Sequence, residues 1–154
     1  MENSPLTSAN LPSLADLPRG HELPVSGFRF PAEDARRYLE AVEDGSDAYG
    51  QGPEAPAGPP RWVPPVALAA LALRAILEQV KLPAGALHTG QELEFRRSVP
   101  VGASLRSLAR IAQRSEMRGA VISIIEFNVA EEGSSDPAVV GRATVMIPPA
   151  QASP

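Results

Sequence analysis

VPPVALAALALRAILEQV, residues 63–80, is apolar almost all the way round a helix, with Arg74, Glu78 and Gln79 as its only polar side chains. A helix without a polar face needs cover on every side. Four strand-like runs follow it, so the expected fold class is α+β: a single domain with an antiparallel sheet wrapped around one long buried helix. Pro64 and Pro65 suit the first turn, where a missing N–H costs little. Leu82-Pro83-Ala84-Gly85 ends the helix.

Downstream, the helical pattern gives way to alternation. Over 87–99, Leu87, Leu93, Phe95 and Val99 fall on one face and His88, Glu92, Glu94, Arg96 and Ser98 on the other. Over 105–113, Leu105, Ala109 and Ile111 point inward, with Arg106 and Arg110 outward. Over 121–129, Val121, Ile125, Phe127 and Val129 share a face, while Ile122 and Ile124 make the opposite face apolar too. Such a strand is central or lies in a subunit contact. Residues 139–147 alternate again, and short turn-like joins make the four runs a meander.

Upstream, residues 21–30 have modest strand character, with Pro24 favouring an edge. Pro31, Glu33 and Asp34 open an amphipathic helix over 31–43, in which Ala35, Tyr38, Leu39 and Val42 recur at helical spacing. It stops at Asp44-Gly45-Ser46-Asp47. Residues 50–60, GQGPEAPAGPP, cannot hydrogen-bond regularly and form a loop over or beside a site. Trp62 follows as a lid on the core or a surface for stacking a ligand. Residues 1–20 are expected to be a flexible arm in which Leu11, Leu14 and Leu17 could dock, residues 21–148 the domain, and 149–154 a frayed tail.

Composition narrows function. The chain is 44% hydrophobic and 21% charged with a net charge of −4, which disfavours nucleic acid or an anionic membrane as partner. Arg96, Arg97, Arg106, Arg110, Arg114 and Arg118 would suit a phosphorylated ligand, but solvated strand arginines are the commoner reading. With no cysteine and only His21 and His88, thiolate chemistry is excluded and little remains for a metal site. No signal-peptide pattern or membrane-length apolar run is present, so a cytoplasmic protein is expected.

The order strand, short helix, Gly/Pro loop, buried helix and meander resembles the hot-dog fold. YLEAVEDGSDAY, residues 38–49, is similar to the motif of MaoC-like enoyl-CoA hydratases and FAS1-like acyl dehydratases, in which a helix ends in Asp-x-Asn-Pro-(Leu/Ile)-His. LHTGQELEFRRSVPVGASLR, residues 87–106, resembles the stretch that follows the helix in the FAS1-like branch. The resemblance implies an acyl thioester substrate, carried on CoA or an acyl carrier protein, and no further cofactor. In the family the Asp and His activate a water that adds across an enoyl thioester, and N–H groups at the start of the buried helix hold the thioester oxygen. Here Asp44 keeps the acid, while Ser46 stands for Asn, Asp47 for Pro, Ala48 for Leu/Ile and Tyr49 for His. A phenol titrating near ~10 is a poor base at neutral pH.

The resemblance therefore implies a thioester-binding subunit that is non-catalytic or weakly active, forming a homodimer or pairing with another hot-dog subunit that carries the Asp/His pair. The alternative is an active (R)-specific enoyl-CoA hydratase using Asp44 with His88 or Tyr49. A thioesterase is a second alternative, weakened because Glu78, the carboxylate on the helix, lies at its wrong end. The candidate catalytic residues are thus Asp44, Tyr49 and His88, and the candidate substrate-binding residues Ser46, Trp62, Val63 and Val66.

Overall fold

A computed structural model describes residues 10–50 and 58–149. Its elements are β1 (Ser26–Arg29), α1 (Ala32–Ala41), α2 (Pro65–Leu77), β2 (Leu87–Phe95), β3 (Ser104–Met117), β4 (Ala120–Glu131) and β5 (Val139–Ile147). The five strands form one antiparallel sheet in the order β1-β3-β4-β5-β2. The α+β fold expected from the sequence, a sheet wrapped around one long helix, is present. β4 lies between β3 and β5, the central place expected of a strand with two apolar faces: Val121, Ile125, Phe127 and Val129 are buried on the inner face, and Ile122 and Ile124 are half-covered on the outer one.

The concave face of the sheet packs on α2. Ala67, Leu68, Ala69, Ala72 and Ile76 are its buried residues. Three of these five are alanines, so the helix backbone lies close to the strands, and the larger Leu68 and Ile76 contribute roughly 1.5–3 kcal/mol each by burial. Gly141 on β5 allows a similar close approach: the ring of Phe127 lies over it, and a Cβ there would sit 2.3 Å from Cζ.

Three expectations need correction. First, α2 is not covered on every side: Val66 is 53% exposed, Ala70 and Arg74 are exposed, and Leu73 and Leu77 are half-buried. These positions recur three or four residues apart, so they form a stripe along the helix. Second, the face assignment in β2 is wrong at its start. A register shift between His88 and Gly90 leaves Thr89 as an extra residue. His88 pairs with Val145 and Leu93 with Gly141, both inward on β5, so His88 shares the face of Leu93, while Leu87 pairs with the outward Met146. Third, residues 12–20 are not a flexible arm, although two of the leucines expected to dock do so. Leu14 is fully buried and Leu17 nearly so, and the segment is held by Lys81 N–H to Pro12 O (2.8 Å), Leu14 N–H to Lys81 O (3.0 Å) and Arg114 Nη2 to Ala15 O (3.0 Å). The residues before Asn10, the expected tail beyond Pro149 and most of the Gly/Pro loop lie outside the described residues.

Candidate functional site

The loop after α1 is built by its own side chains. Glu43 adopts a left-handed conformation (φ 55°), which turns the chain so that Asp44 N–H donates to Leu39 O at 2.9 Å. Asp44 Oδ1 then accepts from Ser46 N–H (3.0 Å), and Ser46 Oγ accepts from Ala48 N–H (3.2 Å), capping a short 3-10 turn over Asp47–Tyr49. One oxygen of Asp44 and the hydroxyl of Ser46 therefore shape the loop itself. Gly50 closes it at φ 79°, where a side chain would meet Arg61 at 3.0 Å. Arg61 N–H donates to Tyr49 O (2.9 Å), so the loop is tied to the residues leading into α2.

Tyr49 is half-buried. Burial, followed by the Asp44 carboxylate and Tyr38, pushes its phenol above the ordinary value. The group where the related motif has histidine thus holds its proton more firmly than a free tyrosine.

At the start of α2, Pro64 and Pro65 offer no N–H, and the amides of Val66 and Ala67 are the first donors without a backbone acceptor among the described residues. The positive end of the helix dipole lies here. Val63, expected to contact substrate, is only 3% exposed: its N–H bonds Val99 O at 2.8 Å and its side chain belongs to the core. Trp62 is partly exposed and bridges to Pro100.

A groove of about 590 Å³ runs between the uncovered stripe of α2 and the inward face of β2. Its walls are Val66, Ala69, Ala70, Leu73, Leu77 and Leu93; Arg74, Glu78, His88 and Gln91 also border it. Asp44, Ser46, Tyr49 and Trp62 do not. The chain path explains the separation. The end of β2 leads to Val99 and Val101, which hydrogen-bond Val63 and Arg61 at the N-terminal end of α2. The start of β2 follows directly from the C-terminal end of α2. β2 therefore runs antiparallel to the helix, with His88 at the opposite end from the Asp44–Tyr49 loop. Within one chain, His88 does not join Asp44.

The groove residues Ala70, Leu73, Leu77 and Gln91 escaped the sequence reading. An all-apolar helix gives no periodic signal for which stripe stays open, but Gly90 inside a strand pattern is a recognised sign of a bulge.

Five of the six arginines of the basic cluster are engaged within the chain, although Arg96 and Arg110 also border, with Arg142, a second cleft of about 640 Å³. Arg96 pairs with Glu94 (3.0 Å), Arg97 with Asp136 (3.4 Å) and Arg110 with Glu126 (2.8 Å), while Arg106 and Arg114 donate to the carbonyls of Ser134 and Ala15. No helix among the described residues is long and apolar enough to cross a membrane.

No protein-family model matches the chain. No curated protein matches it either. Solved structures do. An (R)-hydratase from A. caviae involved in PHA biosynthesis is 24% identical, with a TM-score of 0.65 over 86% of this chain and 98% of that one. A MaoC-like dehydratase from Rhodospirillum rubrum is 14% identical, with a TM-score of 0.70 over 91% and 99%. The C-terminally truncated HadBC (3R-hydroxyacyl-ACP dehydratase) complex from Mycobacterium tuberculosis is 20% identical, with a TM-score of 0.65 over 86% and 99%. At these identities the likeness establishes architecture, and the chain is a hot-dog domain of the kind seen in (R)-hydratases and MaoC-like dehydratases.

Proposed function

We propose that the chain is an acyl-thioester-binding subunit of the enoyl-CoA hydratase and 3-hydroxyacyl dehydratase type, and that it is inactive or weakly active by itself. The observation that carries this reading is Tyr49: a partly buried phenol beside a carboxylate, pushed towards its protonated form, stands where a base is needed. Asp44 supports it by spending a carboxylate oxygen on Ser46 N–H. The start of α2 would hold the thioester oxygen through the amides of Val66 and Ala67, and the acyl chain would lie along the groove. A thioester on CoA or an acyl carrier protein supplies the reactive carbonyl, and the chain contributes binding and orientation.

The open edge of β2 and the uncovered stripe of α2 support a second hot-dog subunit as partner, either another copy or one bearing an intact acid–base pair. Leu87 and Phe95 on this edge are 53% and 42% exposed, and an unpaired strand with apolar side chains invites pairing. One similar structure, HadBC, is itself a complex.

Crotonyl-CoA hydration by the purified protein tests the reading. Turnover at background is expected, rising about tenfold or more in Tyr49→His, a fraction of the 10²–10⁴ attributed to general acid–base catalysis. Turnover by the unaltered protein that disappears in Asp44→Asn would sink the proposal.

A further inference from the structure

The face of the sheet turned away from α2 carries the cleft of about 640 Å³, within the ~300–1,000 Å³ of small-molecule sites. Its floor is one row of outward side chains on three adjacent strands, Leu108, Asn128 and Val140. The next row, Arg110, Glu126 and Arg142, forms one rim, and Pro137 and Arg96 also border the cleft. Both rows lie on β3, β4 and β5, so they touch neither the groove beside α2 nor the free edge of β2.

The three arginines differ in what they hold. Arg96 donates twice to Glu94 (3.0 and 3.1 Å) and Arg110 twice to Glu126 (2.8 and 3.3 Å). Arg142 has charged neighbours but no aligned acceptor among the described residues. Its Nε lies 3.4 Å from Glu126 Oε1, and its Nη1 lies 3.9 Å from the exposed Glu92. The Nε is closed off from water, and a buried ionised donor without an acceptor is rare and costly. Around the cleft, three guanidiniums face the two carboxylates of Glu22 and Glu126, an excess of one positive charge.

We propose that this outer-face cleft binds a small organic monoanion, a carboxylate on a flat apolar body, with Arg142 as its charged anchor. The guanidinium fork suits a carboxylate, which accepts two parallel N–H bonds. Leu108 and Val140 give the body an apolar floor, and Asn128 between them supplies both an amide donor and an acceptor. A phosphate monoester fits less well. It is nearly a dianion at neutral pH, which exceeds the single excess charge and meets repulsion from Glu22 and Glu126.

The test is an NMR titration of the full chain with 2-naphthoate and with 2-naphthamide, its neutral isostere. A charge-assisted hydrogen bond at a half-exposed arginine corresponds to roughly tenfold in affinity. Naphthoate is expected to shift the amide signals of Leu108, Asn128, Val140 and Arg142 and to bind about tenfold more tightly than the amide. Arg142→Gln is expected to abolish that preference while leaving the weak binding of naphthamide unchanged, and its own spectrum reports whether it is folded. Equal affinities in the unaltered protein, a preference that survives in Arg142→Gln, or no shifts with either compound would overturn the inference. Shifts confined to Val66, Leu73 and Leu93 would do the same, since the ligand would then lie in the groove beside α2.

Discussion

Gly141→Ala is the sharpest single test of how the sheet is built around its helix. Gly141 lies inward on β5, paired with Phe127 on β4 and Leu93 on β2. A Cβ at Gly141 would meet Phe127 Cζ at 2.3 Å, Cε1 at 2.6 Å and Cε2 at 2.9 Å, well inside any real contact. The ring is only 3% exposed and cannot swing into solvent. Overpacking of this kind costs about 1–3 kcal/mol, and contact with three ring atoms places it near the upper figure. For a chain of 154 residues, a loss near 3 kcal/mol lowers Tm by about 6–12 °C, at ~2–4 °C per kcal/mol. Urea unfolding followed by tryptophan fluorescence, with thermal melts alongside, measures the loss. If the ring is the cause, Gly141→Ala in a Phe127→Leu background will cost far less, with a coupling of about 0.5–3 kcal/mol between the two positions. A loss below about 0.5 kcal/mol, or the same loss in both backgrounds, would refute the account. The consequence reaches the groove, since Leu93 is the neighbour of Gly141 on β2 and forms part of its wall.

Leu14→Ala is expected to cost about 2–5 kcal/mol in urea unfolding, because the side chain is fully buried; a loss under 1 kcal/mol would return residues 12–20 to the status of a loose arm. In a Tyr38→Phe background, the phenolate absorbance of Tyr49, the remaining tyrosine, is expected to titrate above the free value near ~10. Because the folded pKa is the higher one, the stabilisation is fully present below the unfolded value and disappears as pH rises through the folded value; a midpoint at or below that of free tyrosine contradicts the argument. Val66→Glu puts a charge on the uncovered stripe of α2; where copies of the chain pair through that stripe, the sedimentation coefficient is expected to fall from that of a dimer to that of a monomer while thermal unfolding stays cooperative, and a dimer that persists in the variant would show that the stripe is not the contact between copies.

The architecture was legible because it rests on two periods. The residues of β4, β5 and the first half of β3 alternate inward and outward as their sequence does, with Leu105, Ala109 and Ile111 inward opposite Arg106 and Arg110 up to a register shift between Ile111 and Gln113. Residues 12–20 were read only in part: the three-residue spacing of Leu11, Leu14 and Leu17 pointed to docking, but nothing in the pattern said that the segment would be held firmly. Its two buried leucines sit among prolines and serines and are held by backbone hydrogen bonds to Lys81, which composition does not report. The helix was misjudged for the opposite reason. When every residue is apolar, the sequence says that all sides can be buried but not that one chain buries them all. The stripe from Val66 to Leu77, apolar apart from Arg74, is left open by the single chain, which is the observation behind the proposed thioester and partner subunit.

The candidate site was only half legible, and the cause is local geometry. Reading β2 with a strict period of two places His88 opposite Leu93, whereas one extra residue at Thr89 puts them on the same face. That turn of the imidazole makes His88 a groove residue, yet the path of the chain keeps it at the far end of α2 from Asp44 and Tyr49. An acid and a base acting on one thioester must both lie within hydrogen-bond reach of it, directly or through one water. A helix of thirteen residues, about 20 Å long at ~1.5 Å per residue, stands between these two ends. It follows that if a thioester held at the start of α2 is hydrated or dehydrated, its base is not His88 of the same chain: it is a group of the Asp44–Tyr49 loop or one from a second chain. The surface on which such a chain would rest is the one this fold leaves open.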